Sequence, residues 1–215
     1  MNKIFVLVSA LLVSNAANAN LIDFSGNICS GGGGCTNYTP IDQTYGDIAA
    51  QLDVVYDRNI ATPLDAGTAA ASLSYWDFYS NLSNLAWGDN GATAEIFLNP
   101  LDGSLITLNS VDFGSYLNLN RTSQFTVLDG LTNAVLFGST AFNVSTTAVS
   151  FNPNVSSLNG LKLQFGPDAF NVGIDNIDYT LSGGDTPSPV PLPAAAWLFG
   201  SGIMGLFGLR RKALA

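Results

Sequence analysis

The sequence predicts an all-β protein, an antiparallel β-sandwich of jelly-roll-like form set between two apolar ends. Three observations carry this. Short apolar or alternating runs bounded by Gly, Asn, Asp, Ser and Pro recur from Asn20 to about Leu181, whereas helical periodicity is weak. Asp102-Gly103, Asp129-Gly130 and Asn159-Gly160 each separate two such runs, as hairpin turns do. Roughly 160 residues between the ends suffice for one hydrophobic core and no more.

The first expected strand is Leu21–Phe24, followed by Leu52–Tyr56, Ala94–Leu98, Leu105–Phe113 and Gln124–Leu128. Ala134–Phe137, Ala148–Phe151, Leu161–Phe165 and Val172–Leu181 complete the set. Strands this short and this numerous pack as two antiparallel sheets. Asp47–Gln51 and Ala66–Leu73 are expected to hold a helical turn. In the last run Val172 and Ile174 share one parity, while Ile177, Tyr179 and Leu181 share the other. Strict alternation would put one set in water, so a β-bulge is expected near Asp175-Asn176.

Charge narrows the function. Of 215 residues only 11% are charged, and histidine is absent. Lys3 and the group Arg210, Arg211 and Lys212 lie at the ends; between them Arg58, Arg121 and Lys162 face sixteen acidic residues, a net of −13. Such a middle is no partner for nucleic acid or an anionic surface. Without histidine, His-dependent triads and His-bearing zinc sites are excluded.

The ends read as addresses. Residues 1–19 have the form of a signal peptide: Lys3 is the positive leader, Ile4–Val13 is apolar apart from Ser9, and Ala17 and Ala19 are small residues before a cleavage that starts the mature chain at Asn20. Export into an oxidising compartment predicts a disulfide between Cys29 and Cys35, which bracket Ser30 and four glycines. Closing so small a ring contributes at most about 2.4 kcal/mol, enough to staple a loop. The ectodomain is expected over 20–182 and a polar Pro/Gly/Ser linker over 183–189. A Pro-bearing apolar segment with a basic end follows over 190–213. Within it the apolar stretch 194–209 would form one transmembrane helix about 24 Å long, and 210–212 a basic tail that stays cytoplasmic.

The order Val190, Pro191, Leu192, Pro193, a short glycine-bearing apolar span, then Arg210, Arg211 and Lys212 closely resembles the PEP-CTERM sorting signal. Leu192 stands where the name-giving motif has glutamate, a variant itself familiar in that family. The resemblance implies a Gram-negative, exopolysaccharide-producing cell, export by the secretion machinery, transient anchoring in the inner membrane and processing by an exosortase. The destination is then the cell surface or extracellular matrix.

Two groups of residues in the middle carry chemistry. Hard cations take six to eight oxygen ligands, and the chain is rich in Asp and Asn. The segment from Gly173 to Tyr179 resembles the final strand of carbohydrate-binding jelly rolls. That resemblance implies a structural Ca²⁺ held by Asp175 and Asp178 with Asp23 of the first strand; the alternative is that these are solvated edge and turn residues. The second group gathers Tyr75, Trp76, Trp87 and Asp89. Sugars stack C–H faces on aromatic rings while Asp and Asn take their hydroxyls, so this is a candidate glycan platform. The alternative is ordinary sandwich core. The Ser80–Asn84 stretch between them reads as a polar loop. Glu95, the sole glutamate, could pair with any of many aspartates, so no carboxylate pair and no catalytic residue is assigned.

The expectation is a non-catalytic surface module that binds exopolysaccharide. The alternatives are a structural surface or biofilm protein assembling by protein–protein contacts and, behind it, a polysaccharide-modifying enzyme.

Overall fold

The computed structural model describes residues 18–31, 34–62 and 68–183. Residues 1–17 of the expected signal peptide, including Ala17, lie outside them. So do residues 66–67, most of the linker, and the whole sorting segment with Val190, Pro191, Leu192, Pro193, Arg210, Arg211 and Lys212.

The described chain is almost entirely β. Its strands are β1 (Asn18–Ile22), β2 (Leu52–Asp57), β3 (Ser74–Tyr79), β4 (Leu82–Trp87), β5 (Ala94–Pro100), β6 (Leu105–Ser115) and β7 (Arg121–Asp129). They continue as β8 (Val135–Gly138), β9 (Phe142–Val144), β10 (Val149–Phe151), β11 (Val155–Ser157), β12 (Leu161–Gly166) and β13 (Val172–Ser182). One sheet runs β10-β6-β13-β4-β3, with β1 also on β13 and β11 also on β6. The other runs β2-β5-β12-β7-β8, with β9 also on β7. Neighbouring strands in both sheets pair antiparallel.

Alternation puts one side of each sheet into a shared core. Leu52, Val54 and Tyr56 of β2, Ala94, Ile96 and Leu98 of β5, and Leu161, Leu163 and Phe165 of β12 are fully buried. From the first sheet Ile106, Leu108, Val111 and Phe113 of β6 join the same cluster. Phe113 links the layers, its ring 5.0 Å from Phe125 and 6.1 Å from Phe165. Each such side chain, fully buried, stabilises the fold by about 1.5–3 kcal/mol relative to exposure.

The expected bulge is present in β13. Its register against β6 shifts between Asp175 and Asp178, and Asn176 takes φ 48°. Both parities are thereby buried: Val172 and Ile174 before the bulge, Ile177, Tyr179 and Leu181 after it.

Elsewhere the structure departs from the sequence reading. The stretch Ser80–Asn84 is not a polar loop: β3 and β4 form a hairpin that turns at Ser80-Asn81, and Leu82–Asn84 belong to β4. Polar composition hid the strand, and so did a gap in the ladder at Asp77, opposite which Asn84 takes φ 62° without any change of register. The short strands β9 and β11 were also unforeseen; three residues carry too little periodicity. Neither expected helical turn forms among the described residues. Asp47–Gln51 is a reversal closed by Ile48 pairing with Leu52, and the described residues 68–73 are turns and bends. The first strand spans Asn18–Ile22 rather than Leu21–Phe24, because Phe24 turns to φ 51° and drops its ring against Tyr45 and Tyr56.

Two edge strands are closed by polar groups. On β2 the Val54 N–H donates to Asp47 Oδ1 and the Tyr56 N–H to Gln43 Oε1. On β3 the segment 38–40 exchanges backbone bonds with Tyr75, and the Asp77 N–H donates to Asn37 Oδ1. Both edges therefore offer fewer free groups to another chain. The expected disulfide joins Cys29 and Cys35 with Cα atoms 5.3 Å apart, and Cys29 is buried in the core.

The turn after β7 is tied to the turn before β12. Asp129 accepts from the N–H groups of Leu131 and Thr132, from both hydroxyls of Thr132 and Ser157, and from the Asn159 amide. These bonds, the Thr132 N–H first among them, hold its carboxyl well below the usual carboxylate range. Unfolded, such a group titrates near pH 4, so its stabilisation is complete above about pH 4 and lost as pH falls through the lower folded value. Asp129→Asn is expected to lower stability at neutral pH and to flatten the stability–pH curve below about pH 4, read by denaturant titration at stepped pH.

Outside the first sheet lies a second, smaller apolar layer of Tyr79, Leu82, Leu85 and Trp87. It sits on a missing pair of side chains. Gly114 of β6 and Gly173 of β13 are register partners, and Tyr79 and Leu85 occupy the space that two β-carbons would fill. A β-carbon on Gly114 would lie 2.7 Å from the backbone oxygen of Tyr79, which cannot swing aside as a side-chain tip could. Gly114→Ala is expected to cost about 1–3 kcal/mol through overpacking. Urea denaturation followed by tryptophan fluorescence checks it, and an unchanged midpoint would contradict this packing.

Candidate functional site

Two features of the first sheet bring together residues of functional chemistry. The first is a cleft of about 190 Å³ at the bulge of β13, bordered by Asp23, Ser25, Asn81, Ser83, Asn84, Asp175 and Asn176, with Leu82 as its apolar wall. Local structure explains why these residues meet. Asp23 follows the last residue of β1, Ile22, which pairs with Ile177, so it arrives beside Asn176. Ser83 and Asn84 come from the irregular start of β4, whose Ala86 pairs with Ile174.

Asp175 is 2% exposed. It accepts one hydrogen bond, from the Asn176 N–H to Oδ1 at 2.7 Å. Directly across the strand pair stands Asp112, whose own oxygens take the Ser150 hydroxyl and the Asn176 amide. Burial, partly offset by the Asn176 bond and reinforced by the charges of Asp112 and Asp23, pushes the Asp175 carboxyl up to about 8. Asp23 goes the other way: Ser25 donates N–H and hydroxyl to its Oδ1 and holds it below its usual value. Tyr45, 3.4 Å from the same oxygen, is pushed up to about 12, chiefly by burial and then by the Asp23 charge.

Of the three aspartates singled out from the sequence, the structure brings Asp23 and Asp175 to one cleft and leaves Asp178 out. Asp178 lies beyond the bulge, opposite Leu21 on one side and Ser110 on the other, and its Oδ1 takes the Asn109 amide at 3.0 Å. Among the described residues no three acidic or thiol side chains converge as a metal centre.

The second feature is aromatic. Trp76 and Trp87 meet at 6.5 Å in the outer layer. Tyr38 stands edge-on to both, at 4.8 and 5.5 Å, and Tyr116 meets Trp76 at 5.2 Å. Phe170 lies 4.8 Å from Trp87. Trp87 is buried and donates its indole N–H to the Tyr75 carbonyl, whereas Trp76, Tyr116 and Phe170 are half-buried and Tyr38 is 56% exposed. Tyr75 is on the opposite side of the sheet, in the main core, with its hydroxyl on Asn84. Asp89 sits in the loop after β4 and pairs with Arg58 at 2.6 Å. The nominated four thus separate into a tryptophan pair, a core tyrosine and an ion-paired loop carboxylate.

Sequence reasoning missed Asp112, Asn176, Tyr38, Tyr116 and Phe170 as neighbours of these groups. The first two carry a signal, since Asn176 is the bulge residue and Asp112 is the cross-strand partner of Asp175. The three rings come from separate connections that no local pattern joins. Glu95 lies in β5 as expected and accepts the Gln164 amide at 2.7 Å. Ala19 and Asn20, flanking the expected cleavage, lie in β1 opposite Thr180 and Tyr179, so cleavage there would leave Asn20–Ile22 still paired with β13. The chain matches no protein-family model, and the curated proteins contain no match to it.

Because the folded chain keeps a proton on Asp175 that the unfolded chain has released, stability in chelated buffer is expected to fall as pH rises from about 4 to 8. Asp175→Asn is expected to remove that slope. An unchanged slope in a denaturant series across this range would show that the carboxyl is not the source.

Proposed function

We propose that this protein is exported, sorted by an exosortase-type system through its C-terminal segment, and displayed on the cell surface or in the extracellular matrix. There it acts as a non-catalytic module that binds exopolysaccharide through a jelly-roll-like sandwich. The observation that carries the binding reading is the ring group Tyr38, Trp76, Tyr116 and Phe170 on the outside of the first sheet. Its members keep part of their surface in water while Trp87 and Tyr79 fix them from beneath. A sugar ring stacks on such faces, and the neighbouring Asn37 and Asp77 supply hydrogen-bonding groups.

The structural-assembly alternative loses support at β2 and β3, where Asp47, Gln43 and Asn37 already occupy edge groups. An acidic surface suits a matrix of neutral sugars better than one of polyanions.

The test is retention of the purified mature protein on exopolysaccharide of the producing cell. Tyr38→Ala is expected to fold normally and bind about tenfold more weakly, the loss of roughly one stacking contact. Trp87→Ala is expected mainly to lower the melting temperature, because its ring is interior. No retention of the wild type, or wild-type retention by Tyr38→Ala, would sink the binding reading. For sorting, an intact C-terminal peptide in mass spectra of the surface-located protein would contradict exosortase processing.

A further inference from the structure

Three turns adjoin at one end of the sandwich, and each carries an exposed leucine. Leu101 follows β5, Leu131 lies between β7 and β8, and Leu158 lies between β11 and β12. The Gly130 N–H donates to the Gly160 carbonyl at 3.0 Å, and a β-carbon on Gly160 would lie 3.2 Å from Pro100. Leu131 is 75% exposed, and Leu101, Leu158 and Val135 at the start of β8 are each more than half exposed. Scattered leucines are ordinary on a surface, but leucines on adjoining tips make one apolar rim.

Beside the rim, carboxylates are drawn inward and a cation is at hand. Asp129 is enclosed by its donors, and Asp102 gives Oδ1 to the Ser104 N–H and keeps Oδ2 buried. Lys162 follows Leu161, the register partner of Asp129, and donates to Asn133 Oδ1 at 2.7 Å in the turn of Leu131. The other two central cations are remote: Arg58 follows β2 and Arg121 opens β7, both at the opposite end. Two further carboxylates, Asp53 of β2 and Asp47 before it, stand on the far side of β5 from β12 and β7.

Both ends of the folded chain arrive here too. Asn18 pairs with Leu181, and Ser182, the last residue of β13, pairs with Leu105 just past the Asp102-Gly103 turn. Only the eleven residues 183–193 separate Ser182 from the apolar stretch 194–209, and they can span no more than about 40 Å. A contact made over so short a tether is intramolecular, so a few leucines suffice where a free domain would not hold.

We propose that this end of the sandwich rests on the bilayer that holds 194–209, with Leu101, Leu131, Val135 and Leu158 in its interfacial zone and Lys162 at the level of lipid phosphate. The inference rests on the membrane-anchoring part of the proposed function and adds to it the face that docks and its chemistry. The partner is a zwitterionic lipid surface. A domain of such negative charge is repelled by an anionic one, so apolar insertion is the main attraction and one snorkelling lysine assists. Tyr116 and Phe170 belong to the connections at the opposite end, so docking turns them away from the membrane. Cleavage of the C-terminal segment removes the tether and with it the docking.

The test uses the mature full-length chain, disulfide intact, reconstituted into phosphatidylcholine vesicles. A nitroxide is placed on Leu131→Cys, on Leu158→Cys or on Leu117→Cys, Leu117 being 65% exposed at the opposite end. Electron paramagnetic resonance then compares access of oxygen with access of a water-soluble nickel chelate. Loss of chelate access is expected at 131 and 158 but not at 117, and a Leu101→Ser, Leu158→Ser background should restore it at 131. Adding phosphatidylglycerol should weaken the protection; a stronger one would overturn the zwitterionic assignment. Vesicle flotation separates the two readings under test. If the chain floats with the vesicles while 131 and 158 stay as open to the chelate as 117, docking is overturned and anchoring stands. A chain that does not float overturns the anchoring reading and this proposal with it.

Discussion

The last strand has to bury side chains of both parities, and a backbone of period two can do that only by taking in an extra residue. Most of the architecture of the first sheet follows from that constraint. β13 lies between β6 on one side and β4 with β1 on the other. Before the bulge it lends Val172 and Ile174 to the core, and after it Ile177, Tyr179 and Leu181. The extra residue breaks the ladder where β13 changes partner, so one irregularity serves both demands. Its consequence is chemical. Asp175, an outward residue in a regular strand, becomes enclosed with two other carboxylates nearby.

The same sheet carries its second layer by a different device. Where β6 and β13 set glycine opposite glycine, the outer surface is hollowed, and Tyr79 of the β3–β4 hairpin fills it. Trp76, Trp87, Tyr116 and Phe170 then build upon Tyr79 and Leu85. The bulge and the glycine pair are only a few residues apart on β13, yet they yield opposite surfaces. One is polar, acidic and recessed; the other is aromatic and half exposed. In the second sheet a register shift falls only at the edge, between Val127 and Leu128 where β7 meets β8, and β2, β5 and β12 follow plain alternation.

Polar side chains supply what the apolar pattern cannot. Asp129 gathers five donors to lock two turns together, and Asp47, Gln43 and Asn37 take the place of further strands at sheet edges. In a chain of so few charges, carboxylates are thus assigned to backbone or amide donors more often than to a cation. The Arg58–Asp89 pair is the one ion pair among the described residues.

By itself the amino-acid sequence determined the all-β class, nine of the strands, the Cys29–Cys35 bond and the bulge at Asp175-Asn176. All of these rest on local period, turn chemistry or short sequence separation. It could not separate Asp23 and Asp175 from Asp178, because three aspartates on or next to paired strands look alike until register shows which side of the bulge each occupies. Nor could it read β4, where serine and asparagine mask a strand that tertiary packing on Gly114 and Gly173 holds in place. Tyr38, Tyr116 and Phe170 joined Trp76 and Trp87 only through contacts between segments distant in sequence. Such contacts are decided by how the sheets and their connections pack, and no local pattern encodes that.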